Sequence, residues 1–386
     1  MKRLKRLIAS LKRCEMAKYI WQSKEWPALS WDKGLLLDYL GRARLMQGSL
    51  LGSIKRIGFQ AGEEAHSEIL AEEAVKTSGI EGEKLNPQMV RSSVARHLGL
   101  KTAGLIASTR AVDGLVEAML DAVQNHGNPL TAARLKSWHA ALFPTGYSGL
   151  HRIRAGEWRG TEPMRVVSGP IGRERIHFEA PPGEAIASEM KKFFKWWKES
   201  RGSIDGILRA GLAHFYFVTI HPFEDGNGRL ARTITDMALA QDEDLKMRYY
   251  SLSSQIMDER ESYYNILEKV SCRPDTNVTQ WLVWFLESFE RAIKKSEKLL
   301  ARVLAKAEFW QKHAQDSLNA RQIKAINKLL DAGPEGFEGG LTTRKYAGMT
   351  KVSRATAFRE IADMMEKKIL KPRTGRGRNV SYDIWK

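Results

Sequence analysis

The stretch from His221 to Arg232, with the sequence HPFEDGNGRLAR, constrains this chain more than any other. A Gly-Asn-Gly turn stands directly before an apolar run that predicts a helix, so the turn lies at a helix N-terminus. Glycine tolerates the dihedrals that point successive backbone N–H groups at an anion, and the helix dipole favours negative charge there. The sequence therefore predicts an anion-binding turn at the start of a helix.

Each polar side chain of this stretch has a use in phosphate chemistry. His221 can take a proton near neutral pH, and Asp225 is a hard oxygen ligand suited to Mg²⁺. Arg229 and Arg232 stand three residues apart on one helical turn, where they can grip phosphate oxygens. The turn itself would supply the remaining donors, from Gly226, Asn227 and Gly228. The alternative is a purely structural one, in which a glycine turn is followed by a helix whose first turn is basic.

This stretch resembles the signature of the Fic family, H-x-F-x-[D/E]-G-N-G-R-x-x-R, and matches it at all eight fixed positions. The resemblance implies a mainly α fold, with a Fic-type helical core and a β-hairpin flap. It also implies an enzyme that moves AMP from ATP to a Tyr, Thr or Ser hydroxyl of a protein, with the chain itself among the candidate targets and with Mg²⁺ on Asp225. His221 would be the base, Arg229 and Arg232 would hold the β- and γ-phosphates, and the Asn227 side chain would touch the phosphates.

Two alternatives stay open at this point. Relatives with the same signature transfer phosphate, UMP or phosphocholine, or remove AMP. Because all the fixed positions here suit AMP transfer, that reaction is the first hypothesis. A second class of function is a DNA-binding regulator in which the core senses nucleotide and a C-terminal module dominates.

Upstream of the signature, residues 77–82 have the sequence TSGIEG, which resembles the inhibitory motif [S/T]-x-x-x-E-[G/N] of Fic proteins. The resemblance implies that Glu81 pairs with Arg232 and so occupies the fork that should hold the γ-phosphate. A helix that simply ends at Gly82 would give the same short pattern.

The resemblance also assigns residues beyond the signature. The β-like runs between residues 156 and 182 correspond to the flap, which holds a target segment by strand addition. Tyr263 and Tyr264 lie in a region that lines the nucleotide base pocket, although adjacent tyrosines on a helix face different ways, so one of them belongs to the core. His177 and His214 are interpreted as structural.

The chain divides into five predicted segments. Residues 1–15 form a basic extension, 16–100 an N-terminal helical domain, 101–290 the catalytic core, 291–317 a connector helix and 318–386 a winged helix-turn-helix. The second segment resembles a domain of uncharacterised function that often precedes Fic cores. Within it, the glycine-rich run at residues 47–52 is expected to separate two helices.

Basic charge concentrates at the two ends of the chain. Of the net charge of +17, residues 1–15 carry six basic and one acidic residue, residues 318–386 carry fifteen and seven, and +4 remains for the rest. Such ends predict a polyanion partner such as DNA, with arginines at 354, 359, 373, 376 and 378 on the recognition helix and wing. Solvated surface charge and a winged helix that contacts protein are the alternatives.

Cysteine usage and hydropathy indicate the class of protein. The chain has two cysteines, so no disulfide framework is implied and a reducing compartment fits. No apolar run approaches a membrane span. The sequence therefore predicts a cytoplasmic protein that makes no membrane contact, and the frequent dimerisation of Fic proteins leaves a homodimer open.

Overall fold

A computed structural model shows a mainly α-helical chain, as the sequence predicted, and describes residues 19–55, 59–100, 106–168, 175–332, 337–373 and 380–385. The α-helices within these ranges are, in chain order, α1 (Lys33–Ile54), α2 (Phe59–Ile80), α3 (Pro87–His97), α4 (Arg110–Gln124), α5 (Ala132–Leu142), α6 (Ile186–Glu199), α7 (Gly206–Ile220), α8 (Asn227–Glu243), α9 (Leu252–Asp258), α10 (Arg260–Ser271), α11 (Thr279–Lys312), α12 (Ala320–Asp331), α13 (Thr343–Thr350) and α14 (Arg354–Glu366). The strands form three antiparallel pairs: β1 (Tyr147–Ser148) with β2 (His151–Arg152), β3 (Arg165–Ser168) with β4 (Arg175–Glu179), and β5 (Leu370–Pro372) with β6 (Tyr382–Ile384).

The chain splits into two compact units. The larger one contains the described residues up to Ser53 together with His66–Ser296, and the smaller one contains Ile54–Ala65 together with the described residues from Glu297 onward. The predicted basic extension at residues 1–15 lies outside the described residues. Among the described helices, none is both long enough and apolar enough to cross a membrane.

Two deeply buried helices, α7 and α8, form the centre of the larger unit. α7 has apolar residues on every face and is buried along nearly all of its length. Its N-terminus is capped by Asp205, whose Oδ1 accepts the Ile207 N–H at 2.9 Å. α7 and α8 pack against each other. The loop between them, which carries the signature, therefore has both of its ends fixed by the core.

Neighbouring helices complete this core. α4 packs on α5 and α8, and on another side α11 closely approaches α7 at Gly211. A Cβ on Gly211 would lie 2.8 Å from the Phe285 ring. The Trp281 Nε1–H group donates to the Gly211 carbonyl at 2.8 Å. Glycine at 211 thus lets the two helices approach closely enough for this bond.

One predicted helix boundary is wrong. α1 runs unbroken through residues 47–52, because the buried side chains of Gln47 and Leu50 fix it while Gly48 and Gly52 face solvent. The predicted start of the connector segment at residue 291 lies within α11, a helix of 34 residues that no glycine or proline interrupts. Tertiary packing outweighs the modest cost of a helical glycine, which is about 1 kcal/mol.

The smaller unit has the order of elements predicted for residues 318–386. Helices α12, α13 and α14 precede the β5–β6 pair, and their apolar faces enclose a separate core that includes Ile326, Tyr346 and Ile361. Ser353 caps α14, with its hydroxyl accepting the Thr356 N–H at 3.2 Å. The predicted wing residues Arg376 and Arg378 lie outside the described residues.

Candidate active site

His221 ends α7 in the left-handed region, with φ of 52° and ψ of 60°. Its N–H group donates to the Phe217 carbonyl at 3.0 Å, and its Nδ1 lies 3.1 Å from the Val218 carbonyl. Because a carbonyl oxygen can only accept, Nδ1 carries the proton and Nε2 has a lone pair available. Burial lowers the pKa of His221, and the positive charge of Arg159 acts in the same direction while the Val218 carbonyl opposes it. The ring is therefore neutral at pH 7 and can accept a proton at Nε2.

Arg159 holds the turn that follows His221. Its side chain is almost fully buried, and its Nε donates to the His221 carbonyl at 2.8 Å. Its backbone N–H donates to the Pro222 carbonyl at 2.9 Å, and Nη2 donates to the Pro181 carbonyl. A non-glycine residue at positive φ persists only where its surroundings over-determine it, and these bonds do so for His221.

Phe223 anchors the signature loop in the core. It is fully buried and stacks on the His139 ring, with centroids 4.1 Å apart. Asn227 closes the loop with both ends of its amide: Oδ1 accepts the Phe223 N–H at 2.9 Å and Nδ2 donates to the Phe223 carbonyl at 2.8 Å. The expected contact of the Asn227 side chain with phosphate is therefore wrong for this geometry, because its amide shapes the loop instead.

Asp225 presents its carboxylate at the start of α8. Oδ1 accepts the Gly226 N–H, and Oδ2 accepts the Ser148 hydroxyl. The Asp225 carbonyl lies 3.1 Å from His139 Nε2. The Nδ1 atom of the same ring accepts the Gly156 N–H at 2.9 Å. Burial lowers the pKa of His139 to about 4, so this ring stays neutral.

A carboxylate of the chain itself, that of Glu81, lies against the predicted anion-binding turn. Gly226 adopts a φ of 76°, which favours glycine. A Cβ on Gly228 would lie 2.0 Å from Glu81 Oε1. The missing side chain at 228 thus creates the space in which the Glu81 carboxylate lies, next to the first turn of α8, where the helix dipole favours an anion.

Arg232 binds this carboxylate. Its side chain is 2% exposed, and Nη2 lies 2.6 Å from Glu81 Oε1. Nε donates to the Thr77 hydroxyl at 2.7 Å and Nη2 to the Thr77 carbonyl at 2.9 Å. Burial alone would lower the pKa of Arg232, but Glu81 reverses the direction and raises it. The predicted pairing of Glu81 with Arg232 is present in the structure.

A second ion pair, which sequence reasoning missed, involves the other signature arginine. Arg229 Nη1 lies 2.9 Å from Glu83 Oε2, with side-chain exposures of 9% and 45%. The guanidinium carbon stands 4.9 Å from the centroid of the Phe143 ring. The Arg229 Nε is buried and has no hydrogen-bond partner within the described part of the chain, so the group retains a donor for an anion. The sequence signal that could have indicated this ion pair is the acidic residue two positions after Glu81.

The end of α2 that carries Glu81 is held by the helix α10. Arg260 Nε donates to the Ile80 carbonyl at 2.6 Å, and the Tyr264 hydroxyl lies 3.3 Å from the same oxygen. The Tyr264 hydroxyl is also 3.4 Å from Glu81 Oε2. Further back on α2, Glu73 accepts the Ser251 hydroxyl at 2.6 Å. These bonds hold the end of α2 in place and so fix the position of Glu81 relative to α8.

The two tyrosines have separate roles. Tyr263 is 1% exposed, and its hydroxyl lies 2.8 Å from His214 Nε2. His214 is itself fully buried and contacts the Thr235 hydroxyl at 3.0 Å through Nδ1. The prediction that Tyr263 binds nucleotide is therefore wrong, since its hydroxyl is committed to a core network, and His214 is structural as predicted. Tyr264 remains at the site, beside Glu81.

The predicted flap is present as the β3–β4 pair, whose tip lies outside the described residues. Val166 is opposite Phe178, and the register shifts after Val166. His177 Nδ1 lies 2.6 Å from Glu268 Oε2 on α10, so His177 anchors the hairpin. The hairpin therefore extends from a fixed base next to the signature loop.

A magnesium ion fits this site only with help from its substrate. Within the described residues, no group of three or more His, Cys, Asp or Glu side chains could hold a metal by itself. Mg²⁺ commonly uses one or two protein carboxylates together with substrate phosphates and water. Asp225, next to an anion-binding turn, has the chemistry for such a shared site.

Comparisons with known proteins identify two matching stretches of this chain. The model described as Fic/DOC family matches residues 129–239, and a domain of unknown function, DUF4172, matches residues 19–100. The chain is 40% identical over 111 residues to "Protein adenylyltransferase fic-1" of Caenorhabditis elegans, which covers 28% of this chain and 22% of that protein. It is also 40% identical over 119 residues to "Uridine 5'-monophosphate transferase" of Xanthomonas campestris, covering 29% of this chain and 21% of that protein.

The matches to these curated relatives thus span about a fifth of their length. A Fic family protein of Desulfovibrio desulfuricans, solved by crystallography, has the same fold, with a TM-score of 0.53 and 16% identity over 92% of this chain and 96% of that chain. The signature loop, the two helices that it joins and the family match coincide in one stretch of the chain. This chain therefore contains a Fic/DOC domain.

Proposed function

We propose that this protein is a nucleotidyltransferase that moves AMP from ATP to a Tyr, Thr or Ser hydroxyl of a protein, and that it is held in check by its own Glu81. One observation carries the proposal: a carboxylate of the chain occupies the anion-binding turn, gripped by Arg232 at 2.6 Å. A turn that accepts a carboxylate at a helix N-terminus, between arginines, has the charge and donors that phosphate requires.

The proposed transfer step uses these groups as follows. The incoming hydroxyl oxygen attacks the α-phosphorus, and its proton passes to His221 Nε2, which the Nδ1 bond to Val218 leaves available. The bond between the α-phosphorus and the oxygen that bridges to the β-phosphate breaks, and pyrophosphate leaves. Backbone N–H groups of Asn227 and Gly228 would stabilise the charge on the transferring phosphate, since the Gly226 N–H already donates to Asp225.

Arg229 and Arg232 would hold the β- and γ-phosphates once their carboxylate partners withdraw. Mg²⁺ bound through Asp225 would neutralise charge on the α- and β-phosphates. Tyr264, beside the end of α2, is the remaining candidate for contact with the nucleotide base.

Autoinhibition would act on both arginines. Glu81 binds Arg232, which is 2% exposed, whereas Glu83 binds Arg229 through a carboxylate that is 45% exposed. Exposed ion pairs are worth at most about 1 kcal/mol, and buried charge-assisted bonds are worth more. Glu81 would therefore be the principal inhibitor and Glu83 a weaker one.

The identity of the transferred group requires its own test, because similar relatives include one named for AMP transfer and one named for UMP transfer. Full-length protein carrying Glu81→Gly would be incubated with cell lysate and either ATP or UTP labelled at the α-phosphorus. Labelling from ATP in preference to UTP supports the proposal, and preference for UTP would replace AMP by UMP. Loss of label from previously modified protein would instead favour AMP removal, with Glu81 positioning a water.

Replacing Asp225 tests the metal assignment. We expect Asp225→Ala to abolish transfer together with its dependence on Mg²⁺, because the signature has no other fixed carboxylate. The measurement is a Mg²⁺ titration of nucleotide binding, and its half-point is the Mg²⁺ concentration at which binding is half-maximal. Glu224→Ala is the matched control, since the Glu224 carboxylate accepts the Arg154 N–H at 3.0 Å and occupies a variable position. A half-point equal in wild type and Asp225→Ala would refute the assignment.

DNA binding by the C-terminal unit is a second candidate function, favoured by the exposed face of α14. Arg354 and Arg359 are exposed there together with Phe358, which is 62% exposed on the surface of the helix. Basic side chains contact phosphates, and an apolar ring can contact a thymine methyl group in the major groove.

This candidate predicts weak, salt-sensitive binding of the full chain to duplex DNA. Each phosphate contact should contribute a log–log slope of about −0.9 with salt, so Arg354→Glu with Arg359→Glu should reduce the slope by about 2. Fluorescence anisotropy at low salt is the measurement, and Lys195→Glu, at an exposed position of α6, is the control. Absence of binding to mixed duplexes would leave a protein-contact module as the better account.

A further inference from the structure

Two side chains outside the signature hold Asp225 in place. The first is His139 on α5, which is fully buried. Its Nδ1 faces the Gly156 N–H at 2.9 Å and its Nε2 faces the Asp225 carbonyl at 3.1 Å. A backbone N–H can only donate and a carbonyl can only accept, so one tautomer satisfies both, with the proton on Nε2. His139 thus bridges two backbone segments and fixes the main chain of Asp225.

The second is Ser148, at the end of β1. Its hydroxyl donates to Asp225 Oδ2, while Oδ1 accepts the Gly226 N–H, so both carboxylate oxygens have a donor. The β1–β2 hairpin that carries Ser148 is itself closed by a bond from the Ile153 N–H to the Gly146 carbonyl at 2.9 Å. The side chain of Asp225 is therefore oriented from a different element than its main chain.

We propose that His139 and Ser148 are positioning residues that together aim the Asp225 carboxylate at the phosphates, and so set the affinity of the site for Mg²⁺. This inference rests on the proposed role of Asp225 as the metal ligand. A carboxylate has about four lone-pair positions, so an oxygen that accepts from Ser148 keeps a lone pair for a metal. Groups that orient a ligand in this way typically change metal affinity by about 10–100-fold when they are removed.

Ser148 offers the cleaner test, because it lies on a short hairpin and its loss removes only one hydroxyl. We expect Ser148→Ala to raise the Mg²⁺ half-point for nucleotide binding by about tenfold. Ser148→Thr keeps the hydroxyl and should stay near wild type. Nucleotide binding without Mg²⁺ should be unchanged. The melting temperature should also be unchanged, because it would fall if Ser148 had a merely structural role. The measurement is calorimetric titration of the full chain with a non-hydrolysable ATP analogue at a series of Mg²⁺ concentrations.

His139 is tested by substitution with a side chain of the same hydrogen-bonding pattern. Glutamine offers one acceptor and one donor on a planar group, so His139→Gln should preserve the Mg²⁺ half-point better than His139→Leu. Ser108→Ala is the matched control for Ser148→Ala, because the Ser108 hydroxyl also donates to an aspartate, Asp113, at 2.6 Å, and this bond is not part of the site. It should leave the half-point unchanged.

The outcomes separate this inference from the proposed function. A raised half-point in Ser148→Ala supports positioning, even if no protein becomes labelled and the transferase proposal fails. An unchanged half-point in Ser148→Ala, with a raised one in Asp225→Ala, would overturn positioning and leave the metal assignment intact. An unchanged half-point in Asp225→Ala would overturn positioning as well, because both residues act through that carboxylate.

Discussion

His221→Ala is expected to reduce AMP transfer by about 10²–10⁴-fold, the usual loss when a general base is removed. The Nδ1 atom of His221 is bound to Val218, so Nε2 is the atom available to take the proton. His221 is the only histidine of the signature, and histidine is the side chain type that commonly serves as a base near neutral pH. Nucleotide binding should change little, because the turn and the two arginines supply the phosphate contacts.

The measurement compares transfer rate and nucleotide affinity in the Glu81→Gly background, where activity is easiest to detect. His97→Ala serves as the control, because His97 is exposed on α3 and lies outside the signature. Transfer at an undiminished rate in His221→Ala would contradict the mechanism. Loss of nucleotide binding in the same variant would mean that His221 shapes the loop and does not act as the base.

Glu81→Gly is expected to raise transfer by about 10–100-fold. A hydrogen bond to a charged group contributes about 1.5–3 kcal/mol, and each 1.4 kcal/mol corresponds to a factor of ten. Removing the carboxylate frees Arg232 and vacates the space above Gly228, where Glu81 Oε1 would lie 2.0 Å from an added Cβ. Arg232→Ala should not raise transfer, because it deletes the group that binds the γ-phosphate.

Glu83→Gly is the matched comparison for this prediction. Its carboxylate is more exposed than that of Glu81, with side-chain exposures of 45% and 29%, so its removal should raise transfer by a smaller factor. Transfer rates of the two single variants and of the double variant would be measured side by side. If Glu81→Gly leaves transfer unchanged and Glu83→Gly raises it, the main inhibitory contact is the one on Arg229.

Features carried by contiguous residues could be predicted from the sequence. The signature fixes a turn and the helix after it within twelve residues, so the positions of His221, Gly226 and Arg232 follow from local geometry. The pairing of Glu81 with Arg232 joins residues 151 positions apart. It was predictable only because the motif around Glu81 resembles one that accompanies the signature.

Features created by packing could not be predicted in this way. Asn227 looks like a phosphate ligand, but its amide satisfies the Phe223 backbone in a loop too tight to leave those groups to water. Tyr263 and Tyr264 are indistinguishable by composition, and only the rotation of α10 buries the first against His214. Ser148 sits 77 positions from Asp225 in a hairpin of two-residue strands, which no periodicity indicates.

The central claim is that this site transfers AMP and that Glu81 restrains it. In the direct measurement, the chain carrying Glu81→Gly is incubated with a cell lysate and ATP labelled at either the α- or the γ-phosphorus. The Glu81→Gly, His221→Ala double variant is treated in parallel. Relative to lysate without added protein, the account predicts additional protein labelling from the α-position alone, more than with wild type and absent with the double variant. Additional labelling from the γ-position, or equal α-labelling with the double variant, would contradict it.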